Sequence, residues 1–170
     1  DDYIFLSTKM LQFDEETETV SVENLSLIIT KSVLISFQEK KGDVFEPVRE
    51  RIRKQKKRLR NSGTDYLTFA LLDIVIDNYI YIISLLGDKI ETLEDNLLSN
   101  TNQSVIEEIN KYKRELNFLR KNIKPAKEMI LHLSKMESEL IDETTDVHFK
   151  ELQNNIDQAS NRVVQRDQIE

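Results

Sequence analysis

Hydrophobic and polar positions follow two different periods along this chain, and the changeover falls near Val44. Before it the spacing reads as strands. Tyr3 to Met10 is rich in β-branched and aromatic residues, and the polar run Asp14 to Thr19 (DEETET) reads as a turn. Leu25 to Thr30 (LSLIIT) and Val33 to Phe37 (VLISF) flank Lys31-Ser32, a two-residue spacing suited to a hairpin. Three strands make a small sheet that does not stand alone, so more sheet is expected before residue 1.

After Val44 the period becomes helical. Pro47 fits a first turn, so a helix is predicted from Glu46 to Arg60, ended by Asn61-Ser62-Gly63 with Thr64 or Asp65 as the next N-cap. A second helix is predicted over about 64–98, a third over about 103–138 and a fourth over about 145–170. The third is the most regular: Ile109, Tyr112, Leu116, Leu119, Ile123, Ala126, Ile130 and Leu133 alternate spacings of three and four, a heptad seam. Pro125 lies inside it and predicts a kink or local break. Phe149, Leu152, Ile156, Ala159 and Val163 repeat the pattern in the fourth. At ~1.5 Å per residue the second helix spans about 50 Å. That exceeds what a small sheet needs, so the helices must pack on each other, on other subunits, or reach beyond the chain.

The expected fold class is α+β: a small antiparallel-containing sheet with a packed helix, followed by very long antiparallel, stalk-like helices. Residues 1–62 are expected to hold the sheet part with its basic helix, and 63–170 the long-helix region.

Tyr66 to Gly87 (YLTFALLDIVIDNYIYIISLLG) is nearly apolar enough to cross a membrane. Two aspartates interrupt it, and each would cost roughly 2.5–3.5 kcal/mol at a bilayer centre. Asp73 and Asp77 are four residues apart, so on a helix they project from one face. The economical reading is a helix buried on several sides that presents a paired acidic patch. That patch pairs with a basic group, stays solvated, or holds a cation.

Charge sharpens this picture. The 170 residues are 32% charged, with three glycines, two prolines and no cysteine. That composition favours long helices with solvated faces and leaves neither disulfides nor thiolate metal sites. Net charge is −7, yet Arg49 to Arg60 (RERIRKQKKRLR) sets eight basic residues against one Glu. No aromatic interleaves that run, and Val48, Ile52 and Leu59 give it an apolar stripe. A basic amphipathic helix docked on an acidic body is therefore expected rather than a nucleic-acid surface, with a lipid-headgroup role open if a membrane is close. Catalysis has little to work with. There is no phosphate-cradling glycine loop and no recognisable nucleophile triad, and His132 and His148 share no metal-ligand spacing. Both histidines read as solvated or packing residues, and Glu107-Glu108 and Glu91/Glu94/Asp95 as solvated faces. No enzyme is expected.

Three segments carry a resemblance: LSLIITKSVLISFQEKKGDVFEPVRERIR, TDYLTFALLDIVIDNY and LRKNIKPAKEMI. In order and spacing they resemble the cytoplasmic domain of the CorA family of magnesium and cobalt transporters, over nearly the whole chain and most specifically from Gln38 to Tyr79. The resemblance implies a sheet layer followed by long helices in a funnel, the last continuing into membrane spans beyond Glu170. It implies a homopentamer in the inner membrane with this part on the cytoplasmic side, while the isolated chain is expected to be monomeric or loosely associated. Mg2+ or Co2+ would be both the transported and the regulatory ion, bound between neighbouring cytoplasmic domains to hold the pore shut. Nucleic acid is not an expected partner. Carried over by position, Asp73 falls on an acidic inter-subunit site residue, Asp77 lies one turn away, and Glu151 falls on the stalk-helix acid that supplies the other half. The sequence departs from the family pattern in having Glu at 151 rather than Asp, Asn154 where a further acid is common, and Asn78 in place of a second Asp. A zinc transporter of the same superfamily and a non-transporting coiled-coil scaffold are the alternatives.

Overall fold

The computed structural model describes residues 2–54, 57–99 and 102–167. Strands β1 (Ile4–Asp14), β2 (Thr19–Ile29) and β3 (Leu34–Gln38) form an antiparallel sheet in the order β1-β2-β3. Ile4 faces Ile29, Thr8 faces Leu25, and Ile29 faces Leu34. This register gathers Ile4, Leu6, Met10, Leu25, Leu27 and Ile29 into the core. The opposite face carries exposed Phe5, Ile35 and Phe37.

Both hairpins use the expected polar residues. Asp14 Oδ1 accepts the Glu16 and Thr17 N–H groups, and Glu18 takes the left-handed conformation (φ 52°) that reverses the chain. Thr30 closes the Lys31-Ser32 turn against Val33, through N–H to carbonyl at 2.9 Å and through its hydroxyl. β1 and β2 run farther toward that first turn than their β-branched stretches alone indicate, because each supplies the other's hydrogen bonds.

The predicted helix from Glu46 to Arg60 is instead two short ones, α1 (Glu46–Arg53) and α2 (Lys57–Asn61), with Lys54 in a turn; residues 55–56 of that prediction lie outside the described residues. Like charges one turn apart on Lys54 and Arg58 oppose a continuous helix. Val48 and Leu59 are buried, so the basic segment docks by its apolar stripe as expected.

Three long helices follow: α3 (Thr64–Ser99), α4 (Gln103–Leu133) and α5 (Glu143–Asp167). Each packs on the other two, and α3 also packs on all three strands. Every seam position named above for α4 and α5 is buried. α4 runs through Pro125 without a break, contrary to the expectation. Ile123 and Ala126, on either side of that proline, are buried, and that packing outweighs one missing hydrogen bond. α4 also stops at Leu133 rather than near residue 138. The Ser134 hydroxyl turns to the Leu131 carbonyl and to Gln153 Oε1 (2.8 Å) of α5. α5 begins at Glu143 because Asp142 caps it, accepting from the Thr144 N–H at 2.8 Å. Residues 168–170, the predicted end of the fourth helix, lie outside the described residues.

The cap expected of Thr64 or Asp65 is replaced by long-range bonds. The Thr64 hydroxyl donates to the Thr30 carbonyl, and buried Asp65 accepts the Asp142 N–H through Oδ2 at 2.9 Å. The start of α3 is thereby tied both to the sheet and to the α4–α5 connection. By length and composition α3 could cross a membrane, yet Leu72, Val75, Ile76, Tyr79, Ile82, Ile83 and Leu86 are all buried within this fold.

Candidate divalent-cation site

α3 positions the site. Its apolar face is anchored by Tyr79, whose hydroxyl donates to the Lys9 carbonyl, and by Asn78, whose amide donates to the Leu11 carbonyl. Asn78 is therefore a structural residue, since a carboxylate in its place would point its lone pairs at a carbonyl oxygen. With that face fixed on β1, Asp73 is left half-buried and Asp77 exposed.

Among the described residues neither carboxylate has a hydrogen-bond or ion-pair partner within contact distance. Three of the bases in the basic segment pair elsewhere: Arg49 with Asp43 and Glu46, Arg53 with Glu46, and Lys54 with Glu50. A buried salt bridge from Asp73 or Asp77 to that segment is therefore not formed among the described residues. Burial holds the Asp73 carboxyl above the usual carboxylate range, and the Asp77 and Glu151 charges push the same way, while Arg51 and His148 pull against them from a distance. Asp77 is raised too, by desolvation from the surrounding protein, although its own surface is exposed.

α5 brings Glu151 into the same electrostatic neighbourhood, since its charge is felt at Asp73. Its carboxylate is 63% exposed and lies 3.3 Å, through Oε2, from Nδ1 of His148. In sequence His148 reads as an ordinary polar residue, yet it touches a site carboxylate. The His-x-x-Glu spacing on a helix is the signal that could have found it. His132 is exposed at the far end of α4.

Among the described residues, no group of three or more His, Asp or Glu side chains converges closely enough to hold a metal ion by itself. What one chain offers is a concentration of under-compensated negative charge with few direct ligands. Mg2+ tolerates that arrangement, because it keeps several waters and takes one or two carboxylates.

The fold is shared with two solved domains, those of CorA and ZntB. It superposes on the soluble domain of CorA from Methanocaldococcus jannaschii with a TM-score of 0.83 at 20% identity, over 98% of this chain and 66% of that one. It also superposes on the ZntB cytoplasmic domain from Vibrio parahaemolyticus, with a TM-score of 0.79 at 15% identity, over 98% of this chain and 64% of that one. Sequence gives the particular family. The chain belongs to the CorA-like Mg2+ transporter protein family, whose profile matches residues 1–167. It is 34% identical over 163 residues to the cobalt/magnesium transport protein CorA of Thermotoga maritima, covering 96% of this chain and 46% of that relative. The chain thus spans about half the length of that relative.

Proposed function

We propose that this chain is the cytoplasmic, divalent-cation-sensing domain of a magnesium/cobalt transport protein, acting through a site made of Asp73, Asp77 and Glu151. The observation that carries the reading is the pair Asp73/Asp77: two carboxylates one turn apart, without a direct hydrogen-bond or ion-pair partner among the described residues and both held above the usual carboxylate range. Such a pair repels itself and any like pair brought against it. A doubly charged ion between two copies converts that repulsion into a bridge. Because one copy supplies too few ligands to close a shell, ion occupancy and association of copies are linked.

In the assembled transporter this linkage makes internal Mg2+ or Co2+ a closing signal. Neighbouring domains of a homopentamer on the cytoplasmic side of the inner membrane are drawn together when the ion is abundant and released when it is scarce. Residues 63–170 then act as the stalk that carries the change to the pore, with 1–62 as the sheet unit that holds the stalk's upper face. The ion that gates is the ion that is carried. Identity to a cobalt/magnesium transport protein supports this choice over zinc, whereas the likeness to ZntB concerns the fold alone.

Limited trypsin digestion and sedimentation across a Mg2+ series test the reading. The parent chain is expected to become more protected and to self-associate as Mg2+ rises, and the D73N/E151Q double variant to respond less. Equal responses at every concentration would remove these residues from the site. Protection by Zn2+ with none by Mg2+ would reassign the ion.

A further inference from the structure

Beside the proposed site lies a cluster that the carboxylates alone do not explain. Arg58 of α2 places Nη2 2.6 Å from Nε2 of His148. A guanidinium can only donate, so Nε2 must be the bare, accepting nitrogen of the ring. The ring proton then resides on Nδ1, the nitrogen that faces Glu151 Oε2 at 3.3 Å. The result is a directed chain from a guanidinium, through the imidazole, to a carboxylate.

Packing fixes the ring in that orientation. It stacks on Phe69 with centroids 4.9 Å apart and planes at 26°, and meets Tyr66 edge-on at 5.5 Å. Arg58 in turn sits over the Tyr66 ring, 5.0 Å from its centroid. The His148 side chain is 18% exposed against 63% for Glu151, so a constrained group steers a free one. The register places the cluster against the site: Phe69 precedes Asp73 by one turn of α3, and His148 precedes Glu151 by one turn of α5.

We propose that His148 is a positioning residue for the cation site, held by Arg58 as the Nδ1–H tautomer so that it orients the Glu151 carboxylate and links helix α2 to ion occupancy. The proposal rests on the site reading above. A carboxylate that ligates through one oxygen is commonly oriented by a hydrogen bond to the other. The imidazole N–H occupies Oε2 and leaves Oε1 for the ion or one of its waters. Hydrogen-bonded supports of this kind change metal affinity by about 10–100-fold when removed from tight sites. For an exposed carboxylate the lower end applies, about tenfold.

Two measurements decide the matter. Nitrogen-15 spectra of the imidazole in the whole chain at neutral pH are expected to show protonated Nδ1 and bare Nε2, and R58Q to abolish that preference. A dominant Nε2–H tautomer in the parent overturns the proposal. Mg2+ titrations then compare H148F, which keeps the stack on Phe69 but loses both hydrogen bonds, with H148N, whose amide nitrogen restores a donor near the Nδ1 position. H148F is expected to weaken Mg2+ about tenfold with little change in melting temperature, and H148N to recover most of it. Parental affinity in H148F while E151Q is weakened sinks the positioning role alone. Parental affinity in both D73N and E151Q sinks the site, and the positioning role with it.

Discussion

Replacing Asp73 with Asn should make this chain more stable in the absence of divalent ions, an unusual expectation for a half-buried charged residue. One turn of helix sets the Cβ atoms of Asp73 and Asp77 about 5–6 Å apart. Two unit charges at ~6 Å repel by roughly 0.7 kcal/mol in water and by roughly 3 kcal/mol at an effective dielectric of 20. Asp77 is exposed, which places this pair near the lower figure, so about 1 kcal/mol is expected once relief of desolvation is added. In a chain of this size that raises the melting temperature by about 2–4 °C.

The pH dependence follows from the direction of the shift. The folded-state pKa of Asp73 is raised, so the folded chain holds its proton more tightly than the unfolded chain. The penalty is fully present above the raised value and fades as pH falls toward the ordinary carboxylate range. Parent and D73N should therefore differ at about pH 7 and converge near about pH 4. Mg2+ should narrow the gap from the other side. At ten times its dissociation constant a bound ion adds about 1.4 kcal/mol to the parent, and D73N should gain less. Calorimetric melts in EDTA and in Mg2+, at both pH values, read all of this. If D73N melts below the parent at neutral pH in EDTA, Asp73 is engaged in a favourable ion pair and the reasoning fails.

Other expectations follow from different parts of the fold. Glu18 is paired with Lys89 at 2.8 Å and Lys111 at 3.4 Å, and the Lys89 hydrogen bond foremost holds its pKa down to about 2 from an ordinary value of 4.5. Its contribution is complete above the ordinary value and is lost as pH falls through about 2. E18Q should cost about 1 kcal/mol after allowance for solvent screening and flatten the acid limb of urea denaturation, whereas an unchanged limb would show that the clasp carries no stability. Phe149 has no exposed surface, so F149A should cost about 3–5 kcal/mol by urea midpoint, and a loss under about 1 kcal/mol would mean that α5 is not docked as described. A Cβ at Gly63 would meet Asp65 Oδ1 at 2.6 Å. G63A should displace that buried carboxylate and speed amide exchange at Asp142, its hydrogen-bond partner; unchanged exchange there would refute the link.

Much of the architecture was legible without coordinates. The heptad seams of α4 and α5 became a buried seam at every named position, and the turn residues of both hairpins appear where their chemistry places them. These features depend on a period of about 3.6 or 2 residues and on local hydrogen bonding, which neighbours in sequence determine. Asp73 and Asp77 sharing one face follows from the same local rule. Element ends were less legible. α4 stops at Leu133 because Ser134 finds Gln153, and α3 starts under bonds to Thr30 and Asp142, partners 19, 34 and 77 residues away. The division of the basic segment and the unbroken passage through Pro125 likewise reflect which competing term wins once the helices are packed.

What the sequence by itself determined is therefore the three strands and three long helices, the family, and the presence of an acidic pair on an apolar helix. Only the tertiary structure decided which way that pair faces, left it without a direct ion-pair partner among the described residues, and brought Arg58 and Glu151 to either side of His148. The physical reason is one of range. Periodicity and capping act within a few residues along the chain, whereas the environment of a charge depends on every element packed around it, whatever its distance in sequence.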